Sequence, residues 1–346
     1  MADTPPGGAS VDPAVLAAMR TAIEASIGAR GVSSPNPPVG AVILAADGSV
    51  AGVGHTQPVG GPHAEVIALR AAAERARGGT AVVTLEPCDH TGRTGPCTAA
   101  LRAAGIVRVA YAVTDPDPVA GGGSDSLRAA GIEVIGGVLA DEVAAGPLCE
   151  WLFRRAHGRP HVTVKIAATL DGRIAAPDGS SRWITGAQAR EHAHRDRSQL
   201  DAIVVGTGTV ITDDPALTAR RPDGSLYPRQ PIRVAMGLRA VPAHARIRSD
   251  EAPTLIVPSH DPHAVLAALD DALSVLIEGG PRVIGAFVAA DLVDRVQVYL
   301  APLILGAGAA AVEDGAVRTL TDGHRFERIG VQTLGDDVLL TLKSTR

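Results

Sequence analysis

Short apolar runs alternate along this chain with longer stretches where alanine and leucine recur among charged residues, the rhythm of buried strands between covering helices. Asp12 followed by Pro13 reads as an N-cap with proline at the first helical position, opening a helix to about residue 29. A rigid loop, SSPNPPVG, leads into the strand VGAVIL at 39–44. The segment 63–77 is helical in content and stops at Gly78-Gly79. A strand at 80–86, the loop PCDHTGRTGPC, a helix at 98–105 and a strand at 107–113 follow. After a long loop come another helix–strand pair and the segment LADEVAAGPLCEWLFRRA. The pattern restarts at His161 with a strand to 170, a turn at Asp171-Gly172 and a helix over 186–200. Strands at 201–206, 231–237, 254–259, 274–280 and 295–305 follow, with a helix from near Pro281 and a hairpin in FERIGVQTL…DVLLTLK. The expectation is an α/β protein with mainly parallel sheets and antiparallel strands at its end. Gly158-Arg159-Pro160 supplies linker chemistry within a boundary zone at 146–160.

A length of 346 residues suits two domains, and 46% hydrophobic with 20% charged residues belongs to a globular chain. No stretch reaches the 18 uninterrupted apolar residues of a membrane span; the nearest, 298–312, is broken by Pro302 and two glycines. The opening MADTPPGGASVD lacks the basic start and apolar core of a signal peptide, so a cytoplasmic protein is expected. Three cysteines build no disulfide framework, and Cys149 reads as a small buried hydrophobe. A net charge of −5 and 2% aromatics give neither the electrostatic footprint nor the stacking platforms of a nucleic-acid binder. Of 32 basic residues only Lys165 and Lys343 are lysines, so a compact ammonium at mid-chain draws notice.

The chemistry concentrates in the first half. His63-Ala64-Glu65 starts a helix, Pro87-Cys88 follows a strand, and Cys97 opens the next helix. An imidazole and two thiolates suit Zn²⁺, and three protein ligands leave a fourth position for water, whose pKa the metal lowers toward neutrality. Helix N-termini at both cysteine-bearing turns would favour the thiolates. Glu65 can face that water and carry its proton to a departing amine. Against this stand a plain helix cap with two core cysteines, and a closed structural zinc with His90 as fourth ligand.

His-x-Glu followed by Pro-Cys and a second Cys is the cytidine deaminase-type signature. Eight residues separate the cysteines here, where most such proteins have two. With Asn36-Pro37-Pro38-Val39-Gly40 upstream, this spacer resembles the bifunctional deaminase–reductases of riboflavin biosynthesis. TVKIAATLDGRIA, GSSRWITG, VGTGTVITDDPALTAR and EGGPRVIGAF extend the resemblance over nearly the whole chain. Relatives usually carry a His seven residues before the metal His; here Thr56 holds that place, with His55 beside it.

The resemblance implies a cytidine deaminase-like three-layer domain at 1–147 and a dihydrofolate reductase-like, NADPH-dependent domain at 148–346. It implies a phosphoribosylamino-pyrimidinone substrate whose ring amine is hydrolysed before the ribosyl group is reduced. Asn36 would bind the pyrimidine edge. Ala167, Trp183, Thr209, Asp213 and the turn from Gly280 through Gly285 to Ala286 would contact NADPH. Ser181, Arg197, Leu217, Arg220 and Glu278 would hold the reductase substrate; Lys165 is read as a further substrate-binding residue, and Lys165 and Asp213 are the candidates for proton donor. Such domains commonly pair, so a homo-oligomer is expected. The competing readings are a free-nucleoside or nucleic-acid deaminase with an unrelated accessory domain, and a zinc-stabilised binding module. Gly306-Ala307-Gly308-Ala309-Ala310-Ala311 matches GxGxxA, but it opens no strand–helix–strand unit and is rejected as a dinucleotide loop.

Overall fold

The computed structural model describes residues 11–90 and 95–345; the opening ten residues and the centre of the cysteine spacer, read above, lie outside them. Two compact units divide between Gly158 and Arg159.

The first unit runs α1 (Pro13–Ser26), β1 (Gly40–Leu44), β2 (Val50–His55), α2 (Ala64–Ala72), β3 (Thr80–Leu85), α3 (Cys97–Ala103) and β4 (Arg108–Val113). It continues through α4 (Gly123–Ala129), β5 (Glu133–Ile135), α5 (Ala140–Ala145) and α6 (Cys149–His157). Asp12 caps α1 as expected, its carboxylate accepting the Ala14 N–H at 2.8 Å. The sheet order is β2-β1-β3-β4-β5. Its β1 runs antiparallel to both neighbours while β3, β4 and β5 are parallel, so this sheet is mixed rather than mainly parallel.

β2 escaped the apolar pattern because its inward positions are glycines. A Cβ on Gly52 would lie 2.2 Å from the Ala68 carbonyl, and one on Gly54 2.5 Å from that of Ala64. Helix α2 therefore lies directly on bare strand backbone, which fixes the helix that begins at His63 and carries Glu65 in its first turn. Helix α6 packs with this unit, and a division at 147/148 would cut it away. Glu150 pairs with Arg30 at 3.1 Å and Trp151 is buried.

The second unit begins with β6 (His161–Thr169), β7 (Arg173–Ala175), α7 (Ala187–Arg197), β8 (Ala202–Gly206), α8 (Thr207–Asp213), β9 (Ile232–Met236) and β10 (Thr254–Val257). It ends with α9 (Pro262–Ala267), β11 (Ser274–Ile277), α10 (Pro281–Ala289), β12 (Arg295–Ala301), β13 (Ala309–Ala310), β14 (Phe326–Leu334) and β15 (Asp337–Ser344). The large sheet has the order β10-β9-β8-β11-β6-β12-β15-β14. Its first six strands are parallel, and the terminal hairpin is antiparallel as expected. Val162, Val164, Val204 and Ile277 enter one core, Ile203, Val205 and Leu276 another, the period-two alternation of a sheet covered on both faces. The Gly306–Gly308 segment leads into β13, which pairs antiparallel with β7, and so builds no dinucleotide loop. No helix among the described residues is long and apolar enough to cross a membrane.

Candidate active sites

His63 is the N-cap residue of α2, yet its ring makes no capping bond. It turns instead to the cysteines, with Nδ1 3.3 Å from Cys97 Sγ and 3.6 Å from Cys88 Sγ. Zn–N and Zn–S bonds of about 2.05 and 2.3 Å at tetrahedral angles put N and S about 3.6 Å apart, so the spacing fits. His63, Cys88 and Cys97 offer ligand atoms within 4.8 Å of one another, the only such cluster among the described residues. His90 stays outside it, which leaves a three-ligand, open site rather than a closed structural one. Cys97 opens α3, but Cys88 lies in the loop after β3, so a helix N-terminus backs one thiol only. Cys149, expected buried, is half-buried at the start of α6.

The bond from Cys97 pulls Cys88 down to about 4, while that bond and burial push Cys97 up. His63 is raised by its bond to Cys88. Glu65 sits two residues beyond His63, 4% exposed, and burial pushes its carboxyl up to about 7 with the Cys88 thiolate adding to the shift. A buried carboxyl at that value exchanges protons readily at neutral pH.

A cavity of about 380 Å³ holds Asn36, Thr56, His63, Glu65 and Cys88 together. Thr56 Oγ1 accepts the Val39 N–H at 3.1 Å, while the His55 ring packs against Gly28, so Thr56 and not His55 faces the cavity. Further wall residues were not singled out from the sequence, among them Glu86, Asp115, Trp151 and Arg155. Glu86 is buried and accepts N–H bonds from Ser124 and Asp115 at 2.8 and 3.2 Å. Asp115, Trp151 and Arg155 also line the space. The last two stand four apart on α6, a signal available to a helical reading of 149–157.

In the second unit Glu278, at the end of β11, gathers the charges. Its Oε1 meets Lys165 Nζ at 3.1 Å and its Oε2 meets Arg197 Nη2 at 2.7 Å. Burial opposes ionisation, yet Arg197 and Lys165 hold this carboxyl down to about 2. Arg197 also donates to the Thr218 carbonyl, and Arg220 Nε to the Thr218 hydroxyl. His194, unforeseen, accepts the Arg220 N–H and is lowered to about 4 by burial and the nearby Arg197. Lys165 stands 5.7 Å from the centre of the buried Tyr299 ring, whose hydroxyl meets His192 at 2.9 Å.

Beside this cluster a cleft of about 850 Å³ lies over the carboxyl ends of β8 and β11. α8 leads on to β9 on one side and α10 to β12 on the other, so the cleft marks a topological switch point. Thr209, Gly280 and Ala286 line it, with Arg239 and His260 contributed by loops after β9 and β10. A Cβ on Gly280 would meet nothing nearer than Thr209 at 3.9 Å, so bare backbone faces open space at the start of α10. That cradle fits a dinucleotide phosphate.

Other expected residues lie apart. Ser181 and Trp183 are on an exposed segment, where Arg190 stacks on the Trp183 ring at 4.6 Å. Asp213 is exposed at the far end of α8, its carbonyl taking Arg182. Leu217 is buried in the core with φ +53°. Gly285 faces the Glu313 carbonyl, 1.8 Å from where a Cβ would sit. Ala167 is half-buried on β6, opposite Tyr299 of β12.

Comparison with known proteins agrees with this division. Residues 14–113 match the cytidine and deoxycytidylate deaminase zinc-binding region, and residues 160–340 match the RibD C-terminal domain. The riboflavin biosynthesis protein RibD of Mycobacterium tuberculosis is 51% identical, over 94% of this chain and 96% of its own. That of Escherichia coli is 40% identical, over 94% and 98%. The crystal structure of a diaminohydroxyphosphoribosylaminopyrimidine deaminase/5-amino-6-(5-phosphoribosylamino)uracil reductase from Thermotoga maritima superposes with a TM-score of 0.87 at 34% identity, covering 96% of this chain and 99% of that one. A zinc-type deaminase unit and a reductase unit in one chain, matched end to end by such proteins, make this chain a member of the RibD family of riboflavin-biosynthesis enzymes.

Proposed function

We propose that the first unit removes the ring amine of a diamino-phosphoribosylamino-pyrimidinone by hydrolysis, and that the second reduces the ribosyl group of the product to ribityl with NADPH. The observation that carries the reading is the three-ligand cluster of His63, Cys88 and Cys97 at a cavity that His63, Cys88 and Glu65 line. Zinc held by the three ligands supplies the acidity that makes water a nucleophile near neutral pH. Glu65 takes the water's proton and delivers it to the leaving amine, and Asn36 orients the pyrimidine edge through its carboxamide.

In the second unit, bound NADPH supplies the hydride. Thr209, Gly280 and Ala286 form the wall on which it rests, while Ala167 adds a small side chain on the strand beside it. Trp183 and Asp213, exposed and outside that wall, are the further cofactor contacts that the family resemblance implies. Gly285 serves that site by letting the helix pack. Arg197 and Arg220 present guanidinium forks to the substrate phosphate and hydroxyls, with Glu278, Ser181 and the backbone at Leu217 completing the grip. Lys165, paired with Glu278 at the buried cluster, is our choice over the exposed Asp213 for the proton that accompanies reduction of the opened imine.

Glu65→Gln separates the halves. It should keep zinc, lower ammonia release about 100-fold or more, and leave NADPH oxidation on already deaminated substrate intact. Loss of both activities in a folded, zinc-loaded variant would overturn the division.

A further inference from the structure

Under the reading above Arg197 and Arg220 hold the reductase substrate, and both lean on one short segment, Thr218 to Arg220. Four consecutive backbone groups of that segment are each met by a side chain. The Thr218 carbonyl accepts from Arg197 Nη1 at 2.9 Å, and the Ala219 N–H and carbonyl meet Gln230 Oε1 and Nε2 at 2.7 and 2.9 Å. The Arg220 N–H goes to His194 Nδ1 at 3.2 Å. Leu217, immediately before, has φ +53°, a conformation that a leucine keeps only where its surroundings impose it. His194 and Arg197 stand three apart on α7, so one helix face reaches the segment twice, with an acceptor and with a donor. The Arg220 side chain then turns back, its Nε donating to the Thr218 hydroxyl at 2.8 Å, so the direction of its guanidinium follows from the backbone that His194 holds.

We infer that His194 is a positioning residue of the reductase substrate site, a neutral acceptor that sets the direction of Arg220. The role needs imidazole rather than imidazolium. A protonated ring donates from both nitrogens and would set one N–H against that of Arg220. Burial and the charges of Arg197 and Arg220 outweigh the attraction of Glu278 and keep the ring neutral, with its proton on Nε2. A neutral ring brings no charge to an anionic substrate, so its removal acts through Arg220. Without the acceptor, the Arg220 N–H loses its partner beside a strained turn, and the segment relaxes and takes the guanidinium with it.

The inference rests on the reductase reading, and the test separates the two. Steady-state NADPH oxidation is measured on deaminated substrate with wild type, His194→Asn, His194→Gln, His194→Leu, Arg220→Ala and the double variant His194→Leu/Arg220→Ala. Asparagine carries its Oδ1 where Nδ1 stands, whereas glutamine and leucine offer no acceptor there. His194→Asn should keep the substrate KM within about threefold of wild type, while His194→Gln and His194→Leu raise it about tenfold with kcat changed little, the scale of one backbone donor left unpaired. KM for NADPH should not move, and NADPH binding, followed by the nucleotide's fluorescence, reports that the reductase unit is folded. In the Arg220→Ala background His194→Leu should add little, since it acts through that guanidinium. Equal substrate KM values in the Asn and Gln variants, or a full further loss in the double variant, overturn the role of His194. Should the leucine variant not fold, the Asn and Gln pair carries the comparison. No NADPH oxidation by wild type, or an unaltered substrate KM in Arg220→Ala, overturns the underlying reading instead.

Discussion

Lys165→Arg is the change that most sharply probes the reductase cluster. Lys165 stands on β6, which pairs with β11 on one side and β12 on the other, so it is no surface charge at a sheet edge. Its Nζ is fixed at 3.1 Å from Glu278, in a pair whose side chains are 20% and 12% exposed. At an effective dielectric of 20, unit charges at that distance attract by about 5 kcal/mol, and desolvation takes back much of it. Net charge survives the substitution to arginine, so stability should change little. Shape does not survive. Arg197 already occupies the second oxygen of Glu278 at 2.7 Å, and the Tyr299 ring lies 5.7 Å from the ammonium. A planar guanidinium cannot sit in that slot as a point donor, and it cannot release a proton near neutral pH. The expected loss is at least about tenfold in NADPH oxidation on deaminated substrate, or about 1.4 kcal/mol of transition-state stabilisation, with ammonia release unchanged. Lys165→Met removes one partner of the pair and should cost about 3 kcal/mol of stability as well. Near-wild-type reduction by Lys165→Arg refutes the reasoning.

Three further outcomes follow from the same geometry. The purified chain should hold about one zinc; Cys88→Ser or Cys97→Ser should release it and Cys149→Ser should not, and full occupancy in the Cys88/Cys97 double serine variant would contradict the ligand set. His194 is lowered from 6.5 to about 4 by burial and Arg197, so the unfolded chain binds more protons between those values. The stability it contributes is present above 6.5 and is lost as pH falls toward 4; His194→Gln should flatten the fall in melting temperature over that window, and an unchanged slope removes His194 as its cause. Gly54→Val should dislodge α2 from β2, where a Cβ has 2.5 Å to the Ala64 carbonyl, and lower zinc content together with deamination; retention of both would show that the helix does not need bare strand backbone there.

The residues that carry chemistry stood out in the sequence because their types are costly to bury without a role: His63, Glu65, Cys88 and Cys97, and a rare lysine between apolar neighbours. The parallel core of the second unit was legible in its apolar runs. β2 was not, since Gly52 and Gly54 read as turn chemistry until a helix is seen lying on them. Nor was the place of α6. Its partners Arg30 and Asp117 are far away in sequence, so the linker chemistry at Gly158-Arg159-Pro160, where the units divide, was legible while the helix's attachment to the first unit was not. Arg239, His260 and His194 were invisible for the same reason, arriving from loops and a helix that only the sheet order brings to one edge. Leu217 shows the opposite limit, a motif residue whose side chain turned out to belong to the core.

The central claim is that one chain performs two consecutive reactions in separate units, and product analysis tests it most directly. The phosphoribosylamino-pyrimidine is supplied with and without NADPH, and ammonia, NADPH consumption and products are followed together. Without NADPH, one equivalent of ammonia should appear, with the deaminated product keeping its ribosyl group. With NADPH, the ribityl product should form, one NADPH consumed for each ammonia released. With NADPH present, its oxidation without ammonia release, or ammonia release with none of it consumed, would contradict the account.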